Sequence, residues 1–247
     1  MKTYQTSEVA QIVGVHANTV RMYERLALIP QAQRKANGYR MFTDFHIDQF
    51  RLARAAFQIE VLQNGLRKKI IAAVKSSAKG DFDSALFLTE EYLAGVRTEQ
   101  KNAAEAVKTV EQILSGDAAE NGISMKRKEV SEQLGITMDT LRNWEMNGLL
   151  RVKRKENGYR VYSGKDVRRL KIIRSLKCAN YSLEAILRML NALSSGRPVN
   201  IRKILNTPNP TDEIISVCDK LILSLNAAEC NAQEMVIMLT KMKNKYV

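Results

Sequence analysis

Apolar residues recur at helical spacing in two short stretches near the start of the chain, residues 6–13 and 17–26. A hydroxyl of Thr6 or Ser7 can cap the first predicted helix, and Gly14 can adopt the positive φ that a tight turn requires. The positions of the second helix that are predicted to face inward are Val20, Tyr23 and Leu26. Two short helices joined by a glycine-containing turn form a helix-turn-helix.

The same pattern returns farther along the chain. Residues 129–150 repeat residues 8–29 with seven identities at a constant offset of 121, and the tetrapeptide Asn-Gly-Tyr-Arg at 37–40 recurs at 157–160. The helices predicted in the second copy cover 128–134 and 138–146, with Leu141 and Trp144 facing inward. So many matches in register exceed chance similarity between two helical stretches, and they indicate two copies of one folding unit.

The repeated Asn-Gly pair predicts a hairpin in each copy. Asn-Gly is a strong hairpin signal, because a type I′ turn requires a positive φ at both central residues. Cations and a tyrosine flank each turn, so each hairpin can lie as a wing against phosphates. The predicted wing residues are Arg34, Lys35, Tyr39 and Arg40 in the first copy and Arg154, Lys155, Tyr159 and Arg160 in the second. The alternative is a solvated turn without contacts, and its repetition after a helix-turn-helix favours the wing.

Shorter helices and then a long helix are predicted after each hairpin. The shorter helices start near Asp44 and Asp166, and Ser182 is the predicted N-cap of a further helix in the second copy. Apolar residues over 86–114 and 214–242 follow the 3–4 spacing that is typical of a coiled coil. The main seam residues are Leu93, Val96, Val107, Val110 and Leu114 (with Thr89 and Gln100 as polar members), and Ile214, Cys218, Leu221, Leu225, Met235, Leu239 and Met242.

The predicted fold is mainly α, with two tandem winged helix-turn-helix domains that are each followed by a long coiled-coil-type helix. The expected boundaries are 1–80, 81–120, 121–195 and 196–247. Two arrangements of the long helices are open: they pair within one chain as a covalent pseudo-dimer, or between chains as a dimer with four helix-turn-helix units. Their unequal charge favours the pairing within one chain.

The charge of the chain follows the repeat. Lys and Arg number 39 and Asp and Glu 26 among 247 residues, which gives a net charge of +13. Residues 1–80 carry +8, residues 81–120 carry −6, residues 121–190 carry +9, and the remainder carries +2. Two basic blocks therefore coincide with the two copies. A cationic surface attracts polyanions, so nucleic acid or an acidic membrane face is the partner that the charge favours.

The cysteines and histidines form no recognisable metal or catalytic motif. Cys178, Cys218 and Cys230 are far apart and odd in number, which favours structural thiols in a reducing cytoplasm over a disulfide framework. No apolar run approaches the ~18 residues of a membrane span. No phosphate-binding glycine loop or nucleophile elbow is present. The sequence therefore predicts no enzyme, no cofactor, no metal and no membrane partner, and it favours a cytoplasmic location at the nucleoid.

At these motifs the chain resembles the MerR family of bacterial transcription regulators. The second copy carries the resemblance through EVSEQLGITMDTLRNWEMNGLL, NGYRVYS and NYSLEAI, and the first through SEVAQIVGVHANTVRMYERLALIP and NGYRMFT. The first copy departs from the pattern in two places. Ala27 stands where the second copy has the family's usual Gly148, and 58–66 lacks the Ser-Leu-Glu start found at 182–184.

The resemblance implies binding to double-stranded DNA, with the second helix of each copy in the major groove and the wing on the backbone. By position, it implies phosphate contacts from Arg21 and Arg142, with Tyr23, Arg40 and Arg160 as neighbours, whereas Trp144 lacks the hydroxyl of the matching tyrosine. The expected base-reading positions are His16, Ala17 and Asn18 in one copy and Thr137, Met138 and Asp139 in the other, with Thr19 and Thr140 beside them. His16 can alternatively serve as a helix cap. Asn pairs with adenine and Asp accepts from cytosine, so two non-identical half-sites are expected.

The resulting hypothesis is a sequence-specific transcription regulator that reads two half-sites in a promoter or operator. The resemblance further implies distortion of promoter DNA, and RNA polymerase is a candidate partner. Two alternatives are an architectural or nucleoid-type protein with little sequence specificity, and an interaction scaffold with degenerate DNA modules.

Overall fold

The computed structural model describes residues 2–59, 65–115, 124–154, 159–195, 199–207 and 220–247. These residues are mainly helical, with two small three-stranded sheets, which confirms the fold class expected from the sequence. The chain divides into two compact units, one of Met1–Thr98 with Leu225–Val247 and one of Glu99–Ser224. Each unit holds one copy of the repeat together with parts of both long helices.

Module 1, the described residues between 2 and 78, combines four helices with one antiparallel sheet. Its elements are β1 (Thr3–Tyr4), α1 (Thr6–Val13), α2 (Ala17–Arg25), β2 (Gln33–Arg34), β3 (Arg40–Thr43), α3 (Asp44–Phe57) and α4 (Leu66–Ala78), and the long helix α5 (Phe82–Ser115) follows. Strand β3 is central, with Thr3 opposite Thr43 on one side and Arg34 opposite Arg40 on the other. The hairpin was predicted and β1 was not, because two residues are too few to show an alternating pattern.

Module 2, the described residues between 124 and 194, repeats this order. Its elements are β4 (Ser124–Lys126), α6 (Arg127–Leu134), α7 (Met138–Met146), β5 (Lys153–Arg154), β6 (Arg160–Ser163), α8 (Gly164–Cys178) and α9 (Leu183–Ser194), and the helices α10 (Ile201–Leu205) and α11 (Leu221–Tyr246) follow. Strand β6 is central, with Met125 opposite Tyr162. Ser182 caps α9 as predicted, because its hydroxyl accepts from the backbone N–H of Ala185 at 3.0 Å.

Each helix-turn-helix turns at a glycine, as the sequence predicted. Gly14 and Gly135 adopt φ of 66° and 59°, in the left-handed region that glycine enters without steric cost. Val20 is fully buried, which also agrees with the prediction. The prediction for Leu26 is wrong, since its side chain is 47% exposed. Helix α2 ends at Arg25, so the next residue leaves the face that packs on the core.

The predicted helix cap at Thr6 or Ser7 is also wrong. Gln5 is the N-cap of α1, and its backbone N–H donates to Oε2 of Glu8 at 2.6 Å. Glu129 makes the same bond at the start of α6, at 2.7 Å. A glutamate at the third helical position thus satisfies a backbone donor that has no partner within the helix.

Helix α2 ends in a left-handed residue although that residue is an alanine. Ala27 has φ 55° and occupies the position that Gly148 takes after α7 with φ 75°. The N–H of Leu28 donates to the carbonyl of Tyr23 at 2.9 Å, and Leu149 makes the equivalent bond at 3.0 Å. Both ends are therefore Schellman turns. The departure at Ala27 leaves the turn intact and places its strain on a residue with a Cβ.

The core of module 1 joins an apolar cluster to a buried amide. The cluster consists of Val9, Ala10, Val13, Val20, Ile29, Phe42, Ile47 and Phe50. Gln49 on α3 is fully buried and donates to the carbonyls of Leu28 and Val74 at 3.0 and 2.8 Å. Its Oε1 accepts from the hydroxyl of Ser77 at 2.7 Å. The amide thus links α3, α4 and the end of the helix-turn-helix, with each of its bonds satisfied.

Helix α5 buries a face that differs from the predicted seam. Of the predicted residues, Val96, Val107 and Val110 are buried, and Leu93 and Leu114 are half-buried. Tyr92 and Glu99 are buried, at 3% and 5% exposure, where Leu93 and Gln100 were expected. The predicted face is therefore correct at Thr89, Val96, Ala103, Val107 and Val110, and it is displaced by one residue at Leu93 and Gln100.

Helix α11 buries the predicted seam along its described length. The buried apolar residues are Leu221, Leu225, Ala228, Ala232, Met235, Leu239 and Met242. Ile214 and Cys218, the first two predicted members, lie outside the described residues. The regular 3–4 spacing over six helical turns is that of a helix with one continuous packing face.

Helices α5 and α11 run antiparallel within the first compact unit. Asp83 pairs with Lys243 at 2.5 Å, and Arg97 pairs with Glu229 at 2.8 Å. Fourteen residues separate the two contacts on each helix, in opposite chain directions. The two ion pairs therefore share one antiparallel register.

Candidate nucleic-acid interface

Helix α2, the recognition helix of module 1, presents a polar first turn to solvent. His16, Asn18 and Arg21 are exposed and Thr19 is half-buried. His16 is the N-cap, and its Nδ1 accepts from the backbone N–H of Asn18 at 3.2 Å, which is the capping role that the sequence left open. Arg21 donates from Nη1 to Oδ1 of Asn18 at 2.7 Å. This bond holds a guanidinium beside the amide that is expected to read a base edge.

Helix α7, the recognition helix of module 2, begins with different chemistry. Thr137 is its N-cap, and its hydroxyl accepts from the backbone N–H of Thr140 at 3.0 Å. Asp139 and Arg142 are exposed, and an acid in the first turn interacts favourably with the helix dipole. Arg127 donates from Nη2 to the first carbonyl of α7 at 3.0 Å, a contact that the sequence reasoning missed.

An ion pair joins the recognition helix of module 1 to its wing. Oε2 of Glu24 accepts from Nε of Arg40 at 2.6 Å, and Oε1 accepts from the backbone N–H of Ala32 at 3.1 Å. The side chains of Glu24 and Arg40 are 10% and 27% exposed. Arg40 was predicted as a phosphate neighbour, and the structure shows that it also forms a bond that holds the wing against α2.

Module 2 repeats this ion pair and adds a tyrosine. Oε2 of Glu145 accepts from Nε of Arg160 at 2.7 Å, and Oε1 accepts from the hydroxyl of Tyr162 at 2.5 Å. Burial and the bond to this carboxylate both raise the pKa of Tyr162 well above its ordinary value. Phe42 stands at the matching position of module 1 and has no hydroxyl. Arg160 thus makes the same bond to its recognition helix as Arg40 does in module 1.

Both glutamates could have been found from the sequence. Glu24 and Glu145 are among the seven identities of the repeat, and Arg40 and Arg160 close the repeated tetrapeptide. A conserved acid and a conserved base within the two copies are compatible with a pair. Reading each arginine only as a cation for DNA overlooked that signal.

A concave groove lies between α2 and the wing of module 1. Its volume is about 550 Å³. Its cationic lining residues are Arg21, Arg25, Arg34 and Arg40. Glu24 is the acid in the lining, so four guanidinium groups face one carboxylate. A groove of this charge attracts a phosphate backbone.

The tip of the first wing differs from the predicted type I′ turn. The N–H of Gly38 donates to the carbonyl of Lys35 at 2.8 Å, and the N–H of Lys35 donates to that of Tyr39 at 2.9 Å. Of the Asn-Gly pair, Gly38 takes the positive φ, of 80°, while Asn37 does not. The loop therefore has three residues with a left-handed glycine at its end. Arg34 stabilises it by donating from Nη1 to the Gly38 carbonyl at 3.2 Å.

The predicted aromatic residues have two different surroundings. Tyr39 and Tyr159 are 65% and 74% exposed beside the wing tips. Tyr23 stacks on Phe50 with ring centroids 4.3 Å apart, and its burial raises its pKa. Trp144, 4% exposed, packs inward as predicted. Residues 155–158, which include the predicted Lys155, lie outside the described residues, and of Arg154 the structure describes the backbone.

The sequence favoured structural thiols, and two of the three cysteines lie within the described residues. Cys178 and Cys230 are exposed and carry no disulfide, and Cys218 lies outside the described residues. Within the described part of the chain, no three His, Cys, Asp or Glu side chains come together as a metal site. None of the described helices combines the length and the apolar character that crossing a membrane requires.

Two parts of the chain match known families. Residues 125–193 match the family described as MerR HTH family regulatory protein, and residues 5–42 match the MerR family regulatory protein. These matches fall on the two modules and cover both recognition helices. No solved structure matches the chain at a comparable level.

Several curated proteins are similar to part of the chain. The HTH-type transcriptional regulator AdhR of Bacillus subtilis is 36% identical over 81 residues, which is 32% of this chain and 58% of that protein. The mercuric resistance operon regulatory protein of Bacillus cereus is 30% identical over 76 residues, or 31% of this chain and 58% of its own length. The regulator CueR of Escherichia coli O157:H7 is 38% identical over 53 residues, or 22% and 39%. The chain thus spans little more than half the length of the first two relatives.

Proposed function

Since this chain carries two helix-turn-helix regions of the MerR family, we propose that it is a sequence-specific transcription regulator that binds double-stranded DNA. The observation that carries this proposal is the arginine-lined groove between α2 and the wing of module 1. A recognition helix in the major groove with a wing on the adjacent backbone would place these guanidinium groups beside phosphates.

The two modules read different bases in this proposal. Asn18 accepts from Arg21 through one lone pair of Oδ1, so the second lone pair and the amide N–H remain for the N6 and N7 atoms of adenine. Asp139 offers acceptors alone, which suits the N4 amino group of cytosine. The half-sites should therefore differ, and an asymmetric operator is expected.

The long helices support a pseudo-dimer made from one chain. Helix α11 follows module 2 in the sequence, and its described residues from Leu225 onward belong to the compact unit that contains module 1. The register shared by Asp83–Lys243 and Arg97–Glu229 is that of an antiparallel helix pair. In this arrangement one chain presents two reading modules. Distortion of promoter DNA between the half-sites, and a response of RNA polymerase to it, are further parts of the proposal.

Binding to a library of genomic fragments tests the central claim. We expect enrichment of one asymmetric motif at moderate salt, because each matched base pair contributes about 1–3 kcal/mol of discrimination. Uniform binding to all fragments would support the architectural alternative and contradict the proposal. Sedimentation at micromolar concentration tests the pseudo-dimer, for which the mass of one chain is expected.

Alanine substitutions test the assigned phosphate contacts. Arg21→Ala and Arg142→Ala should each weaken binding and reduce the slope of log K against log salt by about one. Lys108→Ala removes the same charge from the exposed face of α5 and serves as the control. Equal losses in the control and the two arginine variants would show that total charge, and not these contacts, sets the affinity.

A further inference from the structure

The end of α11 contacts an acidic side chain of module 1, Asp48. Oδ2 of Asp48, on α3, accepts from Nζ of Lys245 at 2.9 Å and from the hydroxyl of Tyr246 at 2.7 Å. The ring of Tyr246 lies against Phe45, with centroids 4.9 Å apart. Arg51 is the other cation beside this carboxylate, with Nη1 3.7 Å from Oδ1. The last turn of α11 thus brings donors to an acceptor on module 1.

Module 2 receives the end of α5 with the opposite chemistry. Arg168 lies on α8 at the position equivalent to Asp48, 120 residues farther along the chain. Its Nε donates to the carbonyl of Ile113 at 2.9 Å, and its Nη2 donates to that of Leu114 at 2.8 Å. These carbonyls belong to the last turn of α5, where no helical N–H remains to bind them. A cation there also complements the helix dipole.

We propose that Asp48 in module 1 and Arg168 in module 2 determine which long helix ends on each module. We call this pair of side chains the address. The proposal deepens the pseudo-dimer of the proposed function and rests on it. Consider instead two chains that pair module 1 with module 1 and module 2 with module 2. Asp48 would then face the terminal carbonyls of the other chain's α5, and Arg168 would face the other chain's Lys245. Both encounters place like charges or dipoles together, so they disfavour that pairing. The charges therefore select unlike modules, and the tether within one chain gives that pairing a high effective concentration.

Charge reversal with rescue tests the address in the full-length protein. Asp48→Arg should lower the Tm by about 2–5 °C, because a repulsion replaces two hydrogen bonds. It should also populate a two-chain species at tens of micromolar, since module 1 then presents a donor that suits the end of α5. Lys245→Glu alone should lower the Tm as well. The double variant Asp48→Arg with Lys245→Glu should regain most of the Tm and the mass of one chain.

Glu234→Lys is the control, because it reverses one charge at an exposed position of α11 about three turns before Lys245. We expect its Tm to stay within about 1 °C of the parent protein. A double variant no more stable than Asp48→Arg would overturn the address. If Asp48→Arg does not fold, recovery of a folded double variant still supports the proposal, and failure of both overturns it. If the parent protein shows no DNA sequence preference, the proposed function is wrong. The Tm and mass of the double variant still test the address in that case.

Discussion

The alanine that closes α2 gives the sharpest stability prediction. Ala27 has φ 55° and completes the same turn that Gly148 completes in module 2 with φ 75°. We expect Ala27→Gly to stabilise the protein and Gly148→Ala to destabilise it. The two substitutions are reciprocal tests of one backbone position in one chain.

The magnitude follows from two opposing contributions. A left-handed conformation costs a residue with a Cβ about 1–2 kcal/mol. Glycine recovers this cost but loses about 0.4–1 kcal/mol through the greater freedom of the unfolded chain. The difference is a gain of about 0.5–1 kcal/mol for Ala27→Gly. A Cβ built on Gly148 meets no atom within 4 Å, so Gly148→Ala should cost a similar amount without a packing contribution.

Differential scanning calorimetry of the full-length variants measures both effects. A change of this size should move the Tm by about 1–4 °C, upward for Ala27→Gly and downward for Gly148→Ala. Ala94→Gly, at an exposed position inside α5, is the control and should cost about 1 kcal/mol. A loss of stability in Ala27→Gly similar to that of Ala94→Gly would refute the argument, because it would mean that the left-handed φ carries no strain.

Three further predictions concern the buried polar groups. Gln49→Leu should lower the free energy of unfolding by about 2–4 kcal/mol, because it removes the side chain that donates to two buried carbonyls. Urea unfolding measures this change, and a loss below ~1 kcal/mol would contradict the prediction. Tyr162→Phe should cost about 1–2 kcal/mol, measured by calorimetry, because Glu145 loses one donor and keeps its arginine; an unchanged Tm would argue against the bond. Burial lowers the pKa of His46, and nearby Glu24 opposes this in part, so the unfolded chain binds the proton first and stability should decrease as the pH falls below 6.5. His46→Asn removes the titrating group and should flatten that dependence, and an equal slope in both proteins between pH 7.5 and 5.5 would exclude His46 as its source.

The features that depend on local backbone conformation were the easiest to predict from the sequence. Gly14 and Gly135 mark the two helix turns, because a turn that needs positive φ leaves few alternatives to glycine. The inward positions of α7 were also predictable, since Leu141 and Trp144 fall on one face of a nine-residue helix. These features depend on residues close together in the chain. Local pattern therefore settles them without knowledge of the tertiary partners.

The buried face of α5 depended on distant contacts, and the prediction was displaced by one residue at Leu93 and Gln100. Tyr92 and Leu93 are both apolar and differ in direction by only about 100° on the helix. Which of them is buried depends on the elements that pack on the helix, and periodicity alone cannot identify those. Burial of Glu99 has a similar cause, because its carboxylate accepts from the side chain of Asn180 at 3.0 Å, 81 residues away in the chain. A distant polar partner can thus place a charged residue where the pattern favours its neighbour.

The two modules use different side chains to bind the same backbone carbonyl. Gln49 donates to the carbonyl of Leu28, and Arg169 at the matching position donates from Nε to the carbonyl of Leu149 at 2.6 Å. The same backbone acceptor is therefore satisfied by an amide in one module and a guanidinium in the other. Transferring Arg169 into the buried site of module 1 would bring a charge where Gln49 has no surface exposed, at a desolvation cost that the amide avoids. The two modules thus keep equivalent hydrogen bonds although the residues that form them differ. The exposed positions that read bases can therefore differ between the modules without disturbing these bonds.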